Sequence, residues 1–583
     1  MLRLKVWPTG LIRHGSLILG SSLRAPTIHK GRPFPTLSIP IATSPRCFSE
    51  GTAGSGFQSF GDTIYALSTA QGKAGIAIIR VSGPSCVDIY KALCPGKALP
   101  KPRFAAVRSL YSPNNPSSIL DSEALVLHFP SPRTVTGEDV IEFHVHGGSA
   151  TVKAVLSAIP SSPSTSQSGR IRYAEPGEFT KRAFVNNRLD LAQIEALSDT
   201  LAAETEQQRR AAVRGNSGAL GKTYEAWRKQ LLYARGEIEA LIDFSEDQHF
   251  DESPADLLGN VRSQIEDMLG SIRLHEQGSQ RSELLRSGIR IALVGPPNVG
   301  KSSLMNLVVG REASIVSGEA GTTRDIVEAS LDIRGYLCSF ADTAGFRSSG
   351  SVSEGRPSGG VIGVVEEEGI RRARQKASES DIVVVLASVE EGPKGPFIHY
   401  DAETLALATQ AQSSLLVVNK SDAVSDSQCR ELVGTFHKAT LQGHPGLSQT
   451  RLLRVSCRQA QISSATSTIG NRNRNNDPGN VHSLIDALVD AFSHMTEMPV
   501  DLQDLLGVTE RQRQLLVKCR THLEHFMAEA TPSSAAVKEP DCVLAAEHLR
   551  HAAICLARIT GRGEGGDVED VLGVVFEKFC VGK

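Results

Sequence analysis

The sequence has no Cys-x-x-Cys pair: its 10 cysteines stand alone at positions 47, 86, 94, 338, 429, 457, 519, 542, 555 and 580. That scatter argues against a zinc ribbon or a disulfide scaffold and suits a reducing compartment. No apolar run approaches the roughly 20 residues needed to cross a bilayer, so no membrane insertion is expected. A dominant charge is missing too, because 62 Lys and Arg face 64 Asp and Glu for a net charge of -2. Contact with nucleic acid would therefore need a local basic surface or a partner. Acids are absent from residues 1–49, where Lys or Arg occur among many Ser, Thr and Pro before Glu50. Residues 1–50 read as a mitochondrial transit peptide, cut near Arg46–Ser49, which directs the chain to the matrix. The alternative is a disordered basic tail left in place.

A chain of 583 residues is too long for one hydrophobic core and should hold about three or four domains. From Asp62 the pattern is strand-like, with Ile76–Val81, Glu123–Phe129 and Val140–His146 as strands of a small α/β domain. A Ser/Pro-rich insert, Ser161–Gly169, reads as a surface loop near its end. From Leu189 the period becomes helical: Ile194, Leu197 and Leu201 share a face, as do Trp227, Leu231, Ala234, Ile238 and Leu241, then Val261, Ile265, Leu269 and Ile272. The helical pattern resumes at Leu505–Phe526 and Cys542–Ile559, with Leu549, Ala552, Leu556 and Ile559 in line. One helical domain interrupted by an inserted domain is the economical reading. Arg347–Gly363, Gln461–Asn480 and Ala530–Glu539 are rich in Gly, Ser, Asn or Pro and read as loops.

The inserted segment carries the chemistry. Arg290–Val294 is a short apolar strand feeding Gly295-Pro-Pro-Asn298-Val299-Gly300-Lys301-Ser302-Ser303, and Ser303–Val309 reads as a helix. Backbone N–H groups of such a loop cradle phosphate oxygens, Lys301 reaches the terminal phosphates and Ser302 offers a hydroxyl to Mg2+. Alone, the loop would fit an ATPase equally well. Three more motifs decide for GTP. Gly321-Thr322-Thr323-Arg-Asp325 suits a first switch with Thr323 on Mg2+. Asp342-Thr343-Ala344-Gly345 follows the strand Cys338–Phe340 as a second, and Asn419-Lys420-Ser-Asp422 closes the strand Leu415–Val418. The Asp422 carboxylate can accept hydrogen bonds from guanine N1–H and the 2-amino group, which adenine cannot reproduce. Val455-Ser456-Cys457 is either the last base-contacting loop or an ordinary loop. Phe346 stands where Ras-type GTPases carry a water-orienting glutamine, so another group must position water.

Outside the inserted segment, several motifs resemble the MnmE/TrmE family of tRNA-modification GTPases, the mitochondrial form included. They are Gly75-Ile-Ala-Ile-Ile-Arg80-Val-Ser-Gly83, Thr136-Gly-Glu-Asp-Val-Ile-Glu142, His146-Gly-Gly148, Pro176-Gly-Glu-Phe-Thr-Lys-Arg-Ala-Phe184, Arg188-Leu-Asp-Leu-Ala-Gln193 and the terminal Cys580-Val-Gly-Lys583. The resemblance implies a multidomain α/β plus all-α fold. Its parts are an N-terminal tetrahydrofolate-binding α/β domain (59–188), a helical domain in two parts (189–285 and 499–583) and an inserted Ras-like P-loop GTPase domain (286–498). It implies a homodimer that, with an FAD-dependent MnmG/GidA-type partner, modifies carbon 5 of the wobble uridine of mitochondrial tRNA. The group added is of the carboxymethylaminomethyl or taurinomethyl type, and its carbon comes from 5-formyl- or 5,10-methylene-tetrahydrofolate. By position, Arg80, Glu142 and Lys583 match folate contacts, and Arg188 stands where relatives carry a contacting lysine, keeping the charge with a different geometry; for Arg80 and Lys583, surface salt bridges are the plainer reading of the residues alone. Asn298, Ser317, Glu319 and Thr322 match a K+ site beside the phosphates, and Glu366 matches the water-activating carboxylate, with Glu367 and Glu368 adjacent. A bound cation neutralises charge developing on the phosphoryl group, the task of an arginine finger elsewhere.

Three features have plainer readings beside functional ones. Glu142, His144 and His146 alternate on a strand and imitate a metal site, but no further ligand follows at suitable spacing. Cys580, in a segment Val571–Phe579 that reads as a helix, offers possible chemistry or simple packing. Arg209, Arg210 and Arg214 on a helical stretch would meet tRNA phosphates or form a solvated face. A different class of function also shares these GTPase motifs: a GTP-dependent ribosome-assembly switch in mitochondria, with no modification chemistry.

Overall fold

The computed structural model describes residues 61–162, 169–243, 254–311, 313–316, 330–342, 374–393, 395–439, 447, 450–466, 477, 479–530 and 541–562. Alternating apolar residues build a first sheet from β1 (Thr63–Leu67), β2 (Ile76–Ser82), β3 (Ala106–Ser112), β4 (Asn115–Phe129), β5 (Val140–His146) and β6 (Ile171–Tyr173), in the order β3-β4-β5-β2-β1-β6. Ala77, Ile79 and Val81 sit opposite Val145, Phe143 and Ile141, so one face is apolar. Helices α1 (Cys86–Leu93) and α2 (Ser149–Ala158) bury that face. Ile64 and Ala66 of β1 point to the other side, where Phe179 of α3 (Glu178–Val185) covers them. β4 is longer than the expected Glu123–Phe129 because its first half forms a hairpin with β3. β6 lies beyond the Ser/Pro-rich insert and pairs parallel with β1. At 3 residues it is too short to show a period in sequence.

One buried charge ties three distant stretches of this domain. The side chain of Arg182 on α3 is 0% exposed and donates to the Asp62 carbonyl and carboxylate, Glu138 and Glu178 over 2.8–3.1 Å. Arg172 of β6 adds bonds to Asp62 at 2.6 Å and Glu178 at 2.5 Å. Ser82 Oγ reaches Glu138 Oε2 at 2.7 Å. The Thr136–Glu142 and Pro176–Phe184 motifs therefore meet at a structural junction.

Among the described residues four helices follow: α4 (Leu191–Ala202), α5 (Glu206–Gly215), α6 (Ala219–Asp243) and α7 (Pro254–Ser287). The expected apolar faces of α6 and α7 are buried through Leu231, Ala234, Ile238, Val261, Ile265, Leu269 and Ile272. Leu201 is a correction, at 45% exposed: the buried face of α4 is Leu191, Ala192, Ile194, Glu195 and Ala196.

α7 runs through Gly288 into β7 (Ile289–Val294), the centre of a second sheet. Among the described residues its further elements include, in chain order, α8 (Lys301–Arg311), β8 (Ala313–Ile315), β9 (Ser330–Ile333), β10 (Tyr336–Asp342), β11 (Ile382–Gly392), β12 (Gly395–His399), α9 (Ala402–Gln410), β13 (Ser413–Asn419), α10 (Asp426–Ala439), β14 (Leu452–Arg454), α11 (Cys457–Thr466) and α12 (Val481–Thr496). The strand order is β14-β13-β11-β7-β10-β9-β8, with β12 on β11. The five strands from β14 to β10 are parallel. Ile382–Leu386 and Leu415–Val418 are buried throughout, as strands of a parallel sheet covered on both faces must be. Such a sheet binds ligands beyond the carboxyl ends of its strands. Gln461–Thr466, expected as loop, continues α11.

The chain then returns to the bundle with α13 (Glu510–Glu529) and α14 (Cys542–Thr560). The expected single helix Leu505–Phe526 is instead a 3-10 segment, Val500–Gly507, followed by α13. Gly507 packs so closely on α5 that a Cβ there would sit 2.6 Å from Gly215 Cα. Thr509 then caps α13 by accepting from Gln512 N at 3.3 Å. Glu195 of α4 fixes the new start, accepting from Thr509 Oγ1 at 3.1 Å and Gln512 Nε2 at 2.7 Å.

A buried histidine gives the bundle a pH dependence. His275 Nδ1 lies 3.0 Å from the Tyr224 hydroxyl, and its ring centre lies 4.9 Å from that of Trp227 with the planes tilted by 60°. Burial pushes this imidazole from 6.5 down to about 4, so it is neutral in the fold. Because the unfolded chain takes up a proton first, the site has no penalty above pH 6.5 and a growing one as pH falls to about 4. The loss at the acid end is roughly 3 kcal/mol at about 1.4 kcal/mol per unit. Urea unfolding followed from pH 7 to 4 should show this slope, and His275→Gln should flatten it. An equal slope in both proteins would refute the assignment.

Candidate nucleotide site

The phosphate loop joins the carboxyl end of β7 to α8, so its geometry is set by three unusual backbone angles. Gly295 has φ +148°, Asn298 has φ 63° and Gly300 has φ +98°. Asparagine is among the few side chains that enter the left-handed region readily. Gly300 has a second reason, since a Cβ there would collide with the Asn419 amide. Successive left-handed and right-handed residues turn N–H groups inward, making an anion-binding concavity at the start of an 11-residue helix. Lys301 Nζ donates to the carbonyls of Gly295 at 2.7 Å and Pro296 at 2.8 Å, which holds its charge over the loop. Ser302 is exposed and Ser303 half-buried on the first turn of α8.

The Asn419–Asp422 motif is bound to this loop. Asn419 ends β13, is 3% exposed, and donates through Nδ2 to the Val299 carbonyl at 2.7 Å. Its Oδ1 accepts from Cys457 N at 3.2 Å. One asparagine thus fixes the phosphate loop, the β13 loop and the β14 loop together. Ser456 Oγ donates to Asp422 Oδ1 at 2.6 Å, which fixes the direction of that carboxylate, and Ser456 N bonds Gly479 O at 3.0 Å. Ser456 and Cys457, which read equally as an ordinary loop, are therefore brought into this constellation. Burial pushes the Cys457 thiol up to about 11, so it is a neutral packing group here. Lys420 adopts φ 59° and its Nζ lies 3.2 Å from Glu390 Oε1. Glu390 and the Gly479–Asn480 support have no recognisable motif, and the sequence reading missed them.

Comparisons with known proteins decide the family. The family model described as "GTP-binding protein TrmE N-terminus" matches residues 63–188, and the "MnmE helical domain" matches 191–580. The chain is 36% identical over 557 residues, 94% of its length and 98% of the relative's, to the mitochondrial 5-taurinomethyluridine-[tRNA] synthase subunit GTPB3 of Danio rerio. The chain belongs to the MnmE/TrmE family of tRNA-modification GTPases. It is also 37% identical to the tRNA modification GTPase MnmE of Parvibaculum lavamentivorans, over 90% of this chain and 100% of that one. A third relative, the mitochondrial tRNA modification GTPase mss1 of Schizosaccharomyces pombe, is 36% identical, with 89% of this chain and 95% of that one covered. The two-part helical domain with an inserted G domain is thus the MnmE arrangement, and the nucleotide loops above are those of a GTPase.

In the TrmE-type N-terminal domain, Arg80 and Glu142 are register partners on β2 and β5 and pair with each other at 2.9 Å. His144 Nε2 lies 3.5 Å from Glu142 Oε2, and the Arg80 guanidinium lies 5.8 Å from the centre of the Phe179 ring. Arg188 Nε donates to the Thr134 carbonyl at 3.0 Å. The strand face shared by Glu142, His144 and His146 does not form a metal cluster: His146 Nδ1 turns to Asp121 at 2.9 Å. Among the described residues no group of three His, Cys, Asp or Glu could hold a metal ion. Arg209 and Arg210 both bond Glu206 at 2.8 Å within α5, as on a solvated helix face.

Ser317, Glu319, Thr322, Thr323, Thr343, Ala344, Gly345, Phe346, Glu366, Cys580 and Lys583 lie outside the described residues, as does the side chain of Asp342. The segments 1–50, 347–363 and 571–579 lie outside them as well.

Proposed function

We propose that this MnmE/TrmE GTPase is potassium-activated and, with an FAD-dependent MnmG/GidA-type partner, modifies carbon 5 of the wobble uridine of mitochondrial tRNAs. The single observation carrying the potassium part is Asn298, a left-handed asparagine with φ 63° inside the phosphate loop. An asparagine at that turn would offer its amide oxygen to a monovalent cation beside the phosphates. Ser317, Glu319 and Thr322 complete the K+ site in this reading, and Ser302 and Thr323 hold Mg2+. Both ions supply positive charge to phosphoryl oxygens. Lys301 binds the terminal phosphates, and Glu366 orients the attacking water in place of the glutamine that Phe346 replaces.

The N-terminal domain binds tetrahydrofolate through Arg80, Glu142, Arg188 and Lys583. The half-buried Arg80–Glu142 pair fits a ligand carrying both carboxylates and amide-like donors. The domain limits 59–188, 189–285, 286–498 and 499–583 accompany this reading, as do a homodimer and a matrix location after removal of residues 1–50. The Danio rerio and Schizosaccharomyces pombe relatives are both named as mitochondrial, which favours the mitochondrion, and the name of the first favours a taurinomethyl-type product. A ribosome-assembly switch would share the nucleotide loops, but the matched N-terminal and helical flanks favour the modifying enzyme.

GTP turnover by the purified protein should be at least about tenfold faster in KCl than in NaCl at equal ionic strength, the size of one lost charge-stabilising group. Asn298→Ala should remove most of the difference. Equal rates in the two salts would refute potassium activation while leaving GTP hydrolysis intact.

A further inference from the structure

We propose that Glu390 is a positioning residue for base binding, acting through Lys420 with help from Ser388. The inference rests on the reading that Asn419–Asp422 binds guanine. Its geometric basis is a mismatch in strand length. β13 ends at Asn419, whose partner on β11 is Ser388, but β11 continues to Gly392. The overhang is held by its hairpin with β12, where Ser388 pairs with His399 and Glu390 with Phe397. Because side chains alternate along a strand, Ser388 and Glu390 emerge on the same side. Glu390 Oε1 accepts from Ser388 Oγ at 3.0 Å and from Lys420 Nζ at 3.2 Å. Those two hydrogen bonds hold the carboxyl below its ordinary range, so it is ionised at neutral pH.

The ion pair does little for fold stability, because Lys420 is 40% and Glu390 33% exposed. Its consequence is preorganisation. Lys420 stands two residues before the base-reading Asp422, and its backbone is fixed in the left-handed region at φ 59°. With the ammonium held by Glu390, the four-carbon stem is held extended as an apolar edge for the flat face of a base. Without Glu390, that stem must be ordered when the nucleotide arrives, which costs affinity in proportion to the freedom of one long side chain. Ser388 anchors the carboxylate so that it does not follow the lysine.

The test measures mant-GDP affinity of the full chain for Glu390→Gln, Lys420→Ala and the double variant. Glu390→Gln keeps the size and exposure of the side chain and removes its charge. We expect it to weaken mant-GDP about two- to tenfold, raising KM for GTP while kcat holds. Lys420→Ala should weaken binding at least as much, and the double variant should be no worse than Lys420→Ala, because both changes remove one interaction. Unchanged affinity in Glu390→Gln, or an additive loss in the double variant, would overturn the inference. Unchanged affinity in Lys420→Ala would overturn it as well, whereas unchanged affinity in Asp422→Asn would overturn the guanine-site reading beneath it.

Discussion

Asp422→Asn should lower affinity for GTP by about a hundred- to ten-thousandfold, and it should convert the site toward xanthine nucleotides. Two charge-assisted hydrogen bonds, each contributing about 1.5–3 kcal/mol, are lost or inverted when the carboxylate becomes an amide. Guanine then meets the Asn amide N–H with its own 2-amino donor. Xanthine carries an oxygen at that place, which accepts, while its N1–H still donates to the amide oxygen. The direction of the carboxylate is already set by Ser456 Oγ at 2.6 Å, so little rearrangement should blur the effect. The check is competition of GTP, XTP and ATP for hydrolysis by the wild type and the variant. An unchanged preference for GTP would mean that the base is read elsewhere.

Arg182→Leu should unfold the N-terminal domain or bring it to the edge of unfolding. Removing one partner from a buried ionic cluster costs about 3–5 kcal/mol, because the remaining charges stay buried without compensation. Here the abandoned carboxylates are Glu178, Glu138 and Asp62, whose side chains are 5%, 15% and 23% exposed. Burial works to raise the Glu178 and Asp62 carboxyls, yet the bonds and charges of Arg172 and Arg182 outweigh it and hold both low. Groups held low contribute stability that is full above their ordinary values of 4.5 and 3.8 and is lost as pH falls through the lowered ones. The wild type should therefore weaken in acid, whereas the variant, freed of a requirement for ionised carboxylates, should weaken less. Thermal unfolding at pH 7 and pH 3 should show the gap between the two proteins narrowing. A gap that stays constant would contradict the charge account, and no gap at either pH would contradict the burial account.

The parts legible in sequence share a local cause. β7, β10 and β13 are short apolar runs beside Gly-rich or Asn-Lys-Ser-Asp segments, so strand and chemistry are read together. The faces of α6, α7 and α14 repeat with helical spacing over several turns. What stayed hidden depends on distant neighbours. The break before α13 follows from the contact between Gly507 and Gly215, nearly 300 residues apart in sequence. The Arg182 cluster joins Asp62, Glu138 and Glu178, whose spacing in the chain carries no period. Asn419 stands out in the Asn-Lys-Ser-Asp motif, but its clamp on Val299 and Cys457 leaves no mark in the sequence. Glu390 was invisible because nothing in Val389-Glu390-Glu391 distinguishes a positioning carboxylate from a solvated one. The pairing of Arg80 with Glu142 needed the register of β2 and β5, which the sequence does not display.

The central claim is that this GTPase serves tRNA modification. It is tested most directly by mass analysis of the wobble uridine in mitochondrial tRNA from cells lacking the protein, with wild type or Asp422→Asn restored. The account predicts that the carbon-5 substituent disappears, returns with the wild type, and fails to return with the variant. A fully modified wobble uridine in the absence of the protein would contradict it.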